Sequence, residues 1–186
     1  LYRSEGRSES LMPNVVSTGR RMWLIYLSLT FIFTGLVMLS GTALWDSLNL
    51  VMVALATGGF SIHDAGIMYY NNPTLELLMI PVMLAGALPF KVYFLLYRGS
   101  FTGMFKDRIV QVLLLIAAVG SAITSFDLFM LNNIPAEQAI RQGVFTAISG
   151  FTTCGLQNSD IHFWHAIPIA VVTIMMFIGG ASGSTA

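Results

Sequence analysis

Thr57-Gly58-Gly59-Phe60-Ser61 and Thr153-Cys154-Gly155-Leu156-Gln157 are the stretches around which this chain is organised. Each lies between a short apolar segment and a long one, and each is followed by an acid, Asp64 or Asp160. Thr57 and Thr153, Gly59 and Gly155, and Asp64 and Asp160 are all 96 positions apart. Three coincidences within eight residues predict one structural unit used twice. Glycine at the turn admits backbone conformations closed to other residues and lets a ligand come close. In a bilayer, irregular backbone persists only where protein buries it or where it lines a water-filled cavity. Two such turns at membrane depth imply a pore.

Composition agrees with that setting. Of 186 residues, 55% are hydrophobic and 10% charged, and the mean hydropathy is +0.75. A soluble domain carries roughly a quarter charged residues. The fold class expected is therefore an all-α membrane protein, with the lipid bilayer as its surroundings. Net charge is zero, so nothing favours a nucleic-acid partner. A single cysteine, Cys154, excludes an intrachain disulfide. Leu1 at the start and the small-residue run at the end make an internal piece or a trimmed chain the expectation.

Residues 1–21 are polar and read as a cytoplasmic loop. Residues 22–44 carry no charge and as a helix would reach roughly 34 Å, enough for a hydrocarbon core of about 30 Å. Residues 46–56 are apolar but would reach only roughly 16 Å, which suits a re-entrant pore helix. Asp46 is placed to cap its start. Its carboxyl end would point the negative end of the helix dipole at turn 57–61, an arrangement that favours a cation. Residues 74–97 return as a second span, with kinks expected at Pro81 and Pro89. The two spans, pore helix and turn make the first repeat, 22–97, and 98–108 is a second cytoplasmic loop.

The second repeat, 109–186, follows the same order: span 109–131, pore helix 136–151, turn 152–157 and a broken span 166–186. Asp127 near the outer end of its span reads as an interfacial acid. Eight of nine Lys and Arg residues fall on one side of this layout, Arg141 being the exception. The positive-inside rule makes that side cytoplasmic. Asp46, Asp64, Glu76, Glu137 and Asp160 then face outward, where negative charge would concentrate cations. Asp64 and Asp160, just behind the turns, are candidates for lining the pore mouth or for capping. His63, His162 and His165 match no metal-ligand spacing. No nucleophile–base pair or phosphate loop is visible, so an enzyme is not expected.

The run Ala56-Thr57-Gly58-Gly59-Phe60-Ser61-Ile62-His63-Asp64 resembles the second pore loop of the Trk/Ktr/HKT family of potassium transporters. Ser149-Gly150-Phe151-Thr152-Thr153-Cys154-Gly155-Leu156 is similar to the third. The run Gly179-Gly180-Ala181-Ser182-Gly183-Ser184 and the residues after it resemble the intramembrane gating loop that breaks the third repeat's last helix. The resemblance covers nearly the whole chain. It implies two of four span–loop–span repeats around one axis, with potassium as the transported ion. The ion filter would use Thr57, Gly58, Gly59 and Phe60 from one loop, and Thr152, Thr153, Cys154 and Gly155 from the other. It further implies a homodimer in a prokaryotic plasma membrane, opened by a TrkA-like or KtrA-like nucleotide-binding ring on the cytoplasmic side. The family's first and fourth repeats have no counterpart here. A two-repeat cation channel that dimerises to complete four units is the alternative. A membrane assembly subunit without transport is a third reading, and it leaves the repeated glycine turns unexplained.

Overall fold

The computed structural model describes residues 15–97, 107–130, 134–180 and 184. The described residues form α-helices joined by turns and two short 3-10 helices, with no strand. Helix α1, Val15–Met38, is 24 residues long and apolar. It starts earlier than residue 22 and stops short of residue 44. Its last turn tightens into i→i−3 bonds at Leu39, Ser40 and Gly41, and Gly41 takes a φ of 86° that ends the helix. Hydropathy alone gives no sign of that stop, because Leu39 and Leu44 on either side are both apolar.

Helix α2, Leu44–Leu55, begins two residues before the expected pore helix. Its N-cap is Ala43, whose methyl side chain makes no capping hydrogen bond, so Asp46 is not the cap but a first-turn residue. The Asp46 carboxylate instead accepts a hydrogen bond from the Tyr70 hydroxyl at 2.9 Å. After a 3-10 turn, Gly66–Tyr70, helix α3 runs Pro73–Ala87. Asn72 caps it, accepting from the amides of Thr74 at 3.0 Å and Leu75 at 3.4 Å. The same side chain donates to the Ser40 carbonyl at 2.8 Å, tying the start of α3 to the end of α1.

The return segment is not one continuous helix. It breaks at Leu88, whose backbone is extended (φ −77°, ψ 140°), before α4 resumes at Phe90–Tyr97. A proline disfavours helical backbone in the residue before it, and Pro89 enforces this on Leu88. Pro81 sits inside α3 without interrupting it. The Tyr93 hydroxyl donates to the Ala85 carbonyl and so bridges the break.

Helix α5, Arg108–Met130, is the second helix long and apolar enough to cross a membrane. Helix α6 occupies Ala136–Phe151 and α7 occupies Ala166–Ile178. Helices α1, α2 and α3 pack on one another, as do α5, α6 and α7, and the two groups meet chiefly where α3 lies against α6. The main core draws on both, with Leu50, Leu55, Met79, Met83, Phe145 and Phe151 fully enclosed. Gly143 lets α6 approach α5 so closely that a Cβ there would stand 2.7 Å from the Cα of Ser125. Asp127, expected to be interfacial, is only 4% exposed.

Candidate functional site

Helices α2 and α6 end in register, at Leu55 and Phe151, 96 positions apart. Their final bonds repeat residue for residue. Ala56, Thr57 and Gly58 donate their amides to the carbonyls of Met52, Ala54 and Val53, at 2.9, 3.3 and 2.9 Å. Thr152, Thr153 and Cys154 donate to Ile148, Gly150 and Ser149, at 2.9, 3.0 and 3.0 Å. Each donor and each acceptor in the second set lies 96 residues after its counterpart. Backbone angles repeat as well: φ is 51° at Thr57 and 55° at Thr153, 70° at Gly59 and 76° at Gly155. A threonine in the left-handed region is uncommon and costly, so two at matched positions mark a constrained turn.

The two turns touch. A Cβ on Gly59 would lie 3.5 Å from the Gly155 Cα and 2.5 Å from the Cys154 carbonyl oxygen. The Cys154 side chain is buried, 1% exposed. Thr152 is buried and folds back on its helix, donating to the Ile148 carbonyl at 2.8 Å. Phe60, by contrast, is 78% exposed, and Gly58 is also exposed. The turns thus share a backbone path and differ in their surroundings.

Helix α7 stops at Ile178, and Gly179 follows with φ 63°. The Cβ position of Gly179 lies 3.8 Å from the Thr153 methyl group, so the break in α7 sits beside the second turn. Gly180 and Ser184 are described and Ser184 is buried; Ala181, Ser182 and Gly183 lie outside the described residues.

The acids behind the turns divide. Asp160 caps the 3-10 turn Ile161–Phe163, accepting from the His162 amide at 3.0 Å. Asp64 is exposed. Beside it, His63 stacks on Tyr69 with ring centroids 3.6 Å apart, and its Nε2 lies 3.6 Å from the Asp46 carboxylate. Burial, and after it the hydrogen bond to Asp46, push the Tyr70 phenol above its ordinary pKa.

Glu76 departs most from expectation. Expected among the acids of the outer mouth, it is only 3% exposed within the fold. Asn158 Nδ2 donates to its Oε2 at 2.7 Å, and Arg141 Nε stands 3.3 Å from the same oxygen. That Nε–H is not aligned for a hydrogen bond, so the contact is an ion pair held by proximity. Arg141, the one basic residue outside the group expected to be cytoplasmic, therefore has a buried acid beside it. Two sequence signals pointed here: an acid in an apolar helix, and a lone arginine on the wrong side. Nothing local linked them.

The family model for TrkH, described as cation transport protein, matches residues 1–186. The chain belongs to the TrkH family. This TrkH-family chain is 32% identical over 190 residues to the Trk system potassium uptake protein TrkH of Halomonas elongata, covering 100% of this chain and 39% of that protein. It is 30% identical over 186 residues to an uncharacterized cation transporter of Methanocaldococcus jannaschii, covering 100% of this chain and 36% of that one. The crystal structure of the potassium transporter TrkH from Vibrio parahaemolyticus superposes with a TM-score of 0.86 at 25% identity, over 94% of this chain and 38% of that chain. The chain thus spans well under half the length of the curated relatives it matches.

As a TrkH-family segment it is a membrane protein, and its two long apolar helices accord with that. Among the described residues no group of three or more His, Cys, Asp or Glu side chains is placed to hold a metal ion. What the two turns offer a cation is backbone: carbonyl oxygens at the negative ends of α2 and α6.

Proposed function

We propose that this segment supplies two of the four pore loops of a potassium-uptake transporter. The observation that carries the proposal is the 96-residue repeat of turn geometry: matched amide bonds, matched positive φ values, and contact between Gly59 and Gly155. A potassium ion in a narrow pore must exchange its water for other oxygens, and carbonyls held in a ring serve that need. In this reading α2 and α6 are pore helices, and the turns 57–60 and 152–155 form two quarters of the filter. Alternation of left-handed residues with others along each turn directs carbonyls to the ion path. The negative ends of both helix dipoles add to the attraction. Fixed carbonyls replace hydration without rearrangement, which gives both passage and preference among cations.

The repeats 22–97 and 109–186 would then be span–loop–span units of a multi-pass protein in a prokaryotic plasma membrane, with 98–108 cytoplasmic. Run 179–184, which opens at Gly179 beside Thr153, would be the gating loop under the filter. Exposed Asp64 would line the outer mouth, and Asp160 would shape it through its cap. A homodimer controlled by a cytoplasmic nucleotide-binding ring completes the proposal.

The decisive experiment is Gly155→Ser in the full-length protein, expressed in a potassium-uptake-deficient host. A side chain has room at Gly155 but its backbone angle resists one. Preference for rubidium over sodium should fall about tenfold, equivalent to about 1.4 kcal/mol. A well-expressed Gly155→Ser protein with unaltered preference would remove the filter assignment.

A further inference from the structure

The repeat is faithful in backbone but not in chemistry. Behind the second turn stands a buried polar chain. Glu76 on α3 holds Asn158 at 2.7 Å and Arg141 at 3.3 Å. The Asn158 carbonyl accepts from the Thr146 hydroxyl at 3.3 Å. One turn further along α6, Ser149 donates its hydroxyl to the Leu156 carbonyl at 2.7 Å, while its own carbonyl receives the amides of Cys154 and Gly155. Moving each member back by 96 positions gives Trp45 for Arg141, Leu50 for Thr146, Val53 for Ser149 and Ile62 for Asn158. All four are apolar. Phe60, the counterpart of Leu156, is exposed where Leu156 is 2% exposed.

We infer that Glu76 is a positioning residue for the ion preference of the second turn, acting through Asn158 and Arg141. A buried carboxylate is tolerable only while paired and hydrogen-bonded. Glu76 therefore has one stable arrangement, with Asn158 and Arg141 gripped at fixed places. Asn158 follows Leu156 by two residues, and that grip fixes the path by which the chain leaves Gly155. Glu76 belongs to the first structural unit, 82 residues from Asn158. The ion site of one unit is thus set by an acid from the other, whereas the positions of the first unit that match Arg141, Thr146, Ser149 and Asn158 are apolar. This inference rests on the filter reading of the two turns.

The test uses the full-length protein, with rubidium uptake and its inhibition by sodium measured beside thermal stability in detergent. Glu76→Ala strands Asn158 and Arg141, and should lower rubidium preference over sodium by roughly tenfold. Glu76→Gln keeps an oxygen for Asn158 and should restore preference to within about threefold of the parent, though its charge is gone. Asn158→Ala, which leaves Glu76 and Arg141 paired, should reproduce the loss of preference with a smaller loss of stability. Leu77→Ala, on the exposed face of α3, should change neither. A folded Glu76→Ala or Asn158→Ala protein with parental preference overturns the inference. So does failure of Glu76→Ala, Glu76→Gln and Asn158→Ala all to fold, because the chain would then serve the fold and not the filter. Gly155→Ser separates the two levels. If it alters preference and Glu76→Ala does not, only the positioning role falls; if neither does, the filter reading falls first.

Discussion

Gly59 and Gly155 face each other backbone to backbone, the Cα of each within 3.6 Å of where the other would carry a Cβ. They share a left-handed backbone, with φ of 70° and 76°. They are nevertheless not interchangeable. The Cβ site of Gly59 is also 2.5 Å from the Cys154 carbonyl oxygen, whereas Gly155 has no neighbour nearer than the Gly59 Cα. Close approach constrains one glycine and conformation alone constrains the other.

That difference predicts unequal alanine variants. Gly155→Ala should cost about 1–2 kcal/mol, the usual penalty for a side chain in left-handed backbone. Gly59→Ala adds a collision with backbone, which cannot swing aside, and should cost about 1–3 kcal/mol more. Thermal unfolding of the two purified full-length variants measures the order. Equal melting temperatures would contradict the contact between the turns.

Asn72 predicts a stability effect without a transport effect. It caps α3 and reaches the Ser40 carbonyl from the same side chain. Asn72→Ala should lower stability by about 1–2 kcal/mol through the lost cap and leave cation preference unchanged. A changed rubidium-to-sodium ratio in this variant would show that the outer turn is coupled to the filter more tightly than its bonds indicate.

The break after α7 predicts a gain of flux. Gly179 interrupts the helix where a Cβ on it would lie 3.8 Å from the Thr153 methyl group. Deleting part of run 179–185 in the full-length protein should raise rubidium uptake while preserving selectivity, if the run obstructs the path beneath the second turn. Uptake that is unchanged or abolished in a well-folded deletion would argue against gating.

Topology gives a direct check on the two-repeat layout. Cysteines at Ser4 and Ser100 should label from the cytoplasm, and cysteines at Asn72 and Asn133 from outside. Labelling of Asn72 and Asn133 from opposite sides would be incompatible with two re-entrant turns of the same orientation.

The sequence alone determined the features that local rules govern. Apolar run lengths announced α1 and α5, because an isolated helix in lipid must satisfy its own hydrogen bonds along its length. The 96-residue offset announced the paired turns, because a repeated backbone conformation demands repeated glycines at its tightest points. The end of α6 at Phe151 followed from the same reasoning. Only the tertiary structure decided the rest. Gly41 and the i→i−3 turn before it ended α1 inside an apolar stretch, and of the two prolines expected to kink the return segment only Pro89 broke it, Pro81 lying inside unbroken α3. Asp46 was drawn from its expected capping role to Tyr70, 24 residues away. Glu76 is enclosed within the fold, because Asn158, 82 residues on, and Arg141 were there to meet it. A carboxylate chooses between water and burial by the partners available in space, and periodicity along the chain carries no record of partners that only folding brings near.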